Sequence, residues 1–389
     1  MTLKRLLVLA PTRRAASETF IRANLRGLPF ELQAYFGDEL PWRHPDRLAY
    51  GLAVLLSKLL TRLRLLRLAA LPAAVVARVL IARHRSDLVL AEFGFHAVRV
   101  MDAARWSGVP LVVHFRGSDL SAQSKLGVLR GRYRRLMHVA AGLICKSQPM
   151  AQVLQDLGAP KERILISASG ANPALFHGSD PSAAPPVCLA VGRFVAKKGP
   201  LLTIQAFAAQ PHGELWMVGE GPLLADAKAL ADQLQLGERI HFLGSRPQAE
   251  VAALMRGVRV FVQHSRVAAD GDSEGNPVAV MEAQLSGLPV VATRHAGIPE
   301  VVLDGGTGFL VEEGDVPGMT AAIERLLLDP VLCGQLGEAG RTRVASAFTL
   351  DHHLQDLSSF LAQTHAIATH STGTDATGTD AIATAGRDA

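Results

Sequence analysis

The 389-residue chain predicts an α/β protein of two parallel-sheet domains, and three observations carry that expectation. Short apolar runs alternate with helical stretches along its length, the order that builds parallel sheets covered by helices. The runs are nearly continuous in apolar residues, as in Leu6–Ala10 and Val290–Thr293, which suits strands buried on both faces. A polar, proline-rich stretch from Gly178 to Pro186 divides the chain into halves of ordinary domain size.

Composition narrows the class. An apolar fraction of 49% with 19% charged residues describes a soluble globular protein with large cores. Cys145, Cys188 and Cys333 are odd in number and far apart, so neither a disulfide framework nor a metal cluster is expected. A reducing, cytoplasmic setting fits that usage. The apolar run after Met1 is too short for a secretory segment and is broken at Pro11, so it reads as a strand. No stretch reaches the 18 uninterrupted apolar residues of a membrane span.

Taken in order, Leu6–Ala10 is the first strand, 11–16 the loop at its carboxyl end, and Ser17 the N-cap of the first helix. Asp87–Glu92 is another strand, and a helix follows from about His96 to Ser107. Next come a strand over 110–113 with the loop His114–Asp119, a strand over 141–147, and a last strand of this half over 164–167. The second half restarts with Val187–Val191 and the glycine-bounded loop Gly192–Pro200. It continues with strands over 215–218, 239–243 and 258–263, each leading into a loop. Loops at the carboxyl ends of parallel strands are where open α/β sheets bind ligands. The glycine-rich, acidic loop from Asp270 ends at Asn276, a good N-cap, with Pro277 at the first helical position. Gly287 and Pro289 stop that helix, 290–293 is a strand, 305–311 closes the sheet, and helices run on to about Thr364. The tail from His365, with Thr-Gly-Thr-Asp-Ala repeated, reads as disordered.

The net charge is only +5, but it is unevenly spread. Arg47 to Arg85 holds eight Lys or Arg residues interleaved with leucines and no acidic residue. Such an amphipathic basic helix can lie on an anionic membrane surface, or pack its leucines on its own domain with the arginines in water. Nucleic acid is not expected as a partner, because no aromatic residues accompany the charges to stack bases.

The chemistry concentrates between Asp270 and Glu300. Glu274 and Glu282, with seven residues between them, frame Gly275-Asn276-Pro277 and the start of a helix. Free N–H groups at a helix start suit an anion, and carboxylates accept hydrogen bonds from hydroxyls. Together they suit a nucleotide sugar. This stretch resembles the signature of glycosyltransferase family 4, the retaining GT-B enzymes. Asp270-Gly-Asp272 and His295-Ala-Gly-Ile-Pro-Glu300 are similar to its exopolysaccharide and colanic-acid-type members, as is Ser17-Glu-Thr-Phe-Ile21. The glycine pair usual in the first loop of the wider family is absent here. The resemblance covers about residues 1–360.

The resemblance implies the GT-B fold, two Rossmann-like domains facing a central cleft. The acceptor domain is expected over 1–177, with a crossing helix returning to it over about 345–364. The linker is 178–186 and the nucleotide-sugar domain 187–344. By the same resemblance, Arg193 and Lys198 hold the leaving diphosphate, with Lys197 ranked below Lys198. Their setting agrees, a loop after a strand and before a helix that opens with Pro200. Glu282 is expected on the ribose hydroxyls, Glu274 on those of the donor sugar, and the backbone N–H groups near Gly275, Asn276 and Val278 on the diphosphate and sugar. Gly219 and Gly221 would let backbone approach the nucleotide, unless they serve only tight turns. Ser245 and Arg246 would border the base. In the first domain, family members read His-Phe-His-Gly where this chain has His114-Phe-Arg116-Gly117. Arg116 cannot act as a base, but it could grip a leaving or acceptor phosphate. His114 would take a polar role, although strand alternation points it to the opposite face. Glu92 and Asp119 are weaker candidates at strand ends. Asp270 and Asp272 have the spelling of a metal pair but precede a helix rather than end a strand, so no metal and no cofactor is expected.

The expected function is metal-independent, retaining transfer of a sugar from a nucleotide donor to a saccharide or lipid-linked acceptor in cell-surface polysaccharide biosynthesis. An inactive nucleotide-sugar-binding subunit of an assembly complex, and a sugar-nucleotide epimerase, remain open alternatives.

Overall fold

The computed structural model describes residues 4–13, 19–65 and 68–376. Its frame is two six-stranded sheets, in which every pairing is parallel. In the N-terminal half the strands are β1 (Arg5–Ala10), β2 (Glu31–Phe36), β3 (Leu88–Glu92), β4 (Leu111–His114), β5 (Gly142–Cys145) and β6 (Ile164–Ile166), ordered 2-1-3-4-5-6. In the C-terminal half they are β7 (Val187–Val191), β8 (Glu214–Val218), β9 (Ile240–Gly244), β10 (Val260–Gln263), β11 (Val290–Thr293) and β12 (Gly308–Val311). Their order is 12-11-10-7-8-9. Both orders reverse direction beside a central strand, the arrangement that leaves a crevice at the carboxyl ends. The central strands are buried on both faces, so their apolar runs carry no polar alternation.

β2 was not anticipated. Its sequence, Glu31-Leu-Gln-Ala-Tyr-Phe36, is half-exposed at its start and sits at the sheet edge against β1. An edge strand needs no continuous apolar run, and its signal is correspondingly weak.

The helix Leu350–Ala376 returns to the first domain. Leu357 and Leu361 are fully buried there with Leu6, Val8, Leu90, Val112 and Ile144. Burial of a leucine contributes about 2 kcal/mol, so this strap ties the halves together strongly. The expected disordered tail is corrected in part: residues 365–376 continue this helix, and only 377–389 lie outside the described residues. Ser17, expected as an N-cap, also lies outside them; the first helix is described from Thr19 to Gly27.

Between β2 and β3 lie the helices Pro45–Arg62 and Leu71–Arg83. Tyr50, Ala53, Val54 and Ser57 form the buried face of the first. Leu52, Leu55, Leu56 and Leu59 face outward at about half exposure, followed by Leu63, Leu65, Leu68, Leu71, Val75 and Val79. Trp42, just before them, is 86% exposed. These leucines are therefore only about half covered by their own domain. Among the described residues, no helix is long and apolar enough to cross a membrane.

Candidate functional site

The carboxyl ends of both sheets meet across a cleft of about 820 Å³. Its C-terminal wall carries Arg193, Lys198, Ser245, Arg246, Gln248, Glu274, Gly275, Asn276, Val278 and Glu282. Its N-terminal wall carries Phe20, Phe93, Phe95, Arg116, Lys146 and Ser169. The cleft thus gathers most of the expected donor residues. The two walls touch at Gly275, where a Cβ would lie 3.0 Å from Met150 Sδ and 3.2 Å from both the Arg116 carbonyl and Lys146 Cβ. A larger residue there would need these neighbours to give by a few tenths of an ångström.

Lys198 Nζ stands 3.2 Å from Glu274 Oε1 and 3.4 Å from Gln263 Oε1. Burial raises the Glu274 pKa, but Lys198 and Lys197 more than offset it and hold the group below the ordinary carboxylate range. The Glu274 backbone is fixed in turn: its N–H donates to His295 Nε2 at 3.0 Å, and His295 Nδ1 lies 2.5 Å from Glu313 Oε1. The neutral ring with its proton on Nδ1 satisfies both contacts. Arg193 is exposed at the rim of the loop and makes no ion pair among the described residues. Lys197 points the other way. It is buried, and its ammonium donates to Asp272 Oδ1 and the Ser273 carbonyl, each at 3.1 Å. Asp272 also accepts from Ser121 of the first domain at 3.3 Å, and Asp270 accepts the Asp272 N–H. Both aspartates organise the acidic loop.

Glu282 sits on the buried face of the helix Val278–Ser286 and accepts from Gln248 Nε2 at 3.2 Å. Burial pushes its pKa up to about 7, with Gln248 and Lys198 opposing the rise. The helix begins one residue later than expected. Pro277 is its N-cap, and the Asn276 side chain makes no capping bond. Instead Asn276 is 8% exposed on the cleft wall, and neither of its amide atoms has a hydrogen-bond partner among the described residues. The side chain is therefore not the expected cap.

Two expectations are corrected. Gly219 (φ 139°) and Gly221 (φ 156°) do not line the cleft. A Cβ on them would lie 2.0 Å from the Gly192 carbonyl oxygen and 2.5 Å from the Phe194 carbonyl oxygen, so they let one loop pack under the Arg193 loop. The Phe194 N–H donates to the Glu220 carbonyl at 2.9 Å, completing that support. His114 is fully buried in register with Glu92 and does not line the cleft. Neither ring nitrogen has a hydrogen-bond partner among the described residues. Burial, with the charges of Arg116 and Lys146, drives its pKa well below the ordinary histidine value. Strand alternation turned it inward, as the register requires.

Arg116 is on the cleft wall. Its Nε and Nη2 donate to Glu92 Oε2 at 2.9 and 2.7 Å, and its guanidinium stacks 4.0 Å from the centre of the Phe20 ring. Glu92 is therefore the partner of Arg116 rather than a separate cleft group. Asp119 is fully buried and accepts the N–H groups of Gly94, Arg116 and Gly117, each at 2.9 Å, which shapes the loop after β4. Sequence reasoning missed Lys146, Ser169, Phe20 and Gln248 as cleft residues. Lys146 had a signal: a lone cation directly after the apolar run of β5, at a carboxyl end.

The sequence and the fold are similar to those of known proteins. Residues 175–343 match the family described as glycosyl transferases group 1, and residues 36–200 match glycosyltransferase family 4. The chain is 31% identical over 286 residues to a putative colanic acid biosynthesis glycosyltransferase, WcaL, of Salmonella typhimurium, covering 71% of this chain and 70% of that protein. It is 30% identical over 285 residues to the amylovoran biosynthesis glycosyltransferase AmsK of Erwinia amylovora, with the same coverage of 71% and 70%. In fold it is similar to Anabaena HepE, solved in complex with UDP, at a TM-score of 0.73 and 20% identity over 92% of this chain and all of that one (100%).

Proposed function

The chain belongs to glycosyltransferase family 4, and on that premise we propose that it moves a hexose from a nucleotide sugar to a saccharide or lipid-linked saccharide in cell-surface polysaccharide assembly. The observation that carries the reading is the one wall on which Arg193, Lys198, Glu274 and Glu282 converge around the N-terminus of a nine-residue helix. WcaL and AmsK are named for the building of such polysaccharides, and HepE for a complex with UDP.

In this reading the diphosphate lies against Arg193, Lys198 and the helix start at Val278, whose positive end stabilises the charge that develops as the donor bond breaks. Ionised Glu282 accepts from the ribose hydroxyls and Glu274 from the sugar. The acceptor oxygen forms its bond to the anomeric carbon on the face the diphosphate leaves, and its proton passes to a leaving phosphate oxygen. Configuration is retained, and these cations take the place of a metal. Arg116, with its Glu92 partner, faces the acceptor side. We further infer that the leucine-rich, basic face of the helices Pro45–Arg62 and Leu71–Arg83 rests on an anionic membrane, where a lipid-linked acceptor resides.

The test is transfer itself. Protein incubated with UDP- and GDP-sugars and a saccharide acceptor is expected to give a glycosylated product by mass spectrometry. Arg193→Ala and Glu274→Ala should each lower the rate by roughly 100-fold or more. Nucleotide binding without any product would make the chain a binding subunit, and donor conversion without acceptor would make it an epimerase.

A further inference from the structure

We propose that Lys146, with Ser169, forms an anion site on the N-terminal wall of the cleft that holds a phosphate group of a bound substrate. Lys146 follows β5 and lines the cleft, yet the residue is only 4% exposed. Its ammonium hydrogen-bonds the Ser169 hydroxyl and makes no ion pair among the described residues. Glu92, whose charge acts on Lys146, gives Oε2 to both donors of Arg116 and makes no ion pair with the lysine, while its Oε1 has no hydrogen-bond partner among the described residues. A buried cation without a counter-ion is costly, and that cost falls once an anion reaches it. Burial, with Arg116 beside it, accordingly depresses the lysine's pKa well below its ordinary value, against a weaker pull from Glu92 and Asp119.

Position identifies the anion. Lys146 packs against Gly275, directly across from the loop that leads into the helix start at Val278. Asn276, whose amide has no partner, lines the same cleft. A group held there bridges the two walls between the donor diphosphate and the acceptor side. Phosphate suits it, since a compact ammonium has three donors and no acceptor, and the Ser169 hydroxyl that accepts one of them keeps its own O–H to donate. That phosphate comes from the nucleoside diphosphate or from a phosphorylated lipid carrier. The assignment of ligand rests on the transferase reading; the counter-ion argument does not.

Calorimetric titration of the full chain with UDP, GDP and farnesyl diphosphate separates these sources. Lys146→Met, which keeps the bulk and removes the charge, is expected to weaken a diphosphate that wild type binds by roughly tenfold or more. A loss on the nucleoside diphosphate assigns the donor's phosphate, and a loss on farnesyl diphosphate alone assigns the acceptor's. Glu282→Gln should weaken only the nucleoside diphosphates. If wild type binds no nucleotide, the transferase reading fails while the farnesyl arm still judges Lys146. Unchanged affinity of folded Lys146→Met for every diphosphate that wild type binds overturns the proposal, as does wild type binding none of the three. Should Lys146→Met not fold, Ser169→Ala decides, with a several-fold weakening expected and no change overturning the site.

Discussion

Glu282 holds its proton near neutrality because burial raises its pKa to about 7, whereas the unfolded chain titrates it near 4.5. Between those values the folded state binds more protons than the unfolded one, so this residue's contribution to stability is full below about 4.5 and is lost as pH rises through 7. Glu282→Gln is therefore expected to melt higher than wild type at pH 8, by up to roughly 3 kcal/mol of stability. The same variant should bind nucleotide more weakly, and wild-type nucleotide affinity should rise as pH passes from 6 to 8. A Glu282→Gln variant that melts lower at pH 8 would contradict the burial argument. The legibility of the site divides by the same physics. Glu274 and Glu282 were readable because their spacing and the helix signals between them are local. Asn276 as an unpartnered amide, Gly219 under the Arg193 loop and Lys146 across from Gly275 were not, since each depends on a contact between segments far apart in sequence.

Strands buried on both faces announced themselves as apolar runs, and glycines and prolines marked where helices stop, as at Gly287. The edge strand β2 and the length of the last helix escaped because neither depends on a local pattern. The helices Pro45–Arg62 and Leu71–Arg83 were ambiguous from sequence, which showed leucines and arginines but not which face was buried. With Leu52, Leu55, Leu56 and Leu59 outward and Arg62, Arg64 and Arg78 exposed beside them, the pair presents an apolar stripe edged by cations. Each Lys or Arg near an anionic surface adds about 1 kcal/mol, screened by salt. The protein should sediment with phosphatidylglycerol vesicles at low salt and less at high salt, and Leu55→Asp with Leu59→Asp should release it. Wild type left in the supernatant with anionic vesicles at low salt would make these helices structural.

At the scale of the molecule, two similar sheets are set carboxyl end to carboxyl end, and the strap Leu350–Ala376 keeps them so. Neither half alone has the site: one wall brings Arg193, Lys198, Glu274 and Glu282, the other Arg116 and Lys146. This two-domain plan was legible because alternation and the linker are long-range repetitions of simple patterns. The identity of the base and the sugar was not, since those depend on the shape of a cleft built from both walls. This cleft is expected to bind a nucleoside diphosphate. Thermal unfolding with UDP, GDP, ADP and CMP, each at high concentration, tests it most directly. A nucleotide at about 100 times its dissociation constant adds roughly 2.7 kcal/mol. One of them should raise the melting temperature by several degrees, and Arg193→Ala should diminish that rise. No shift with any of the four would contradict a formed donor site.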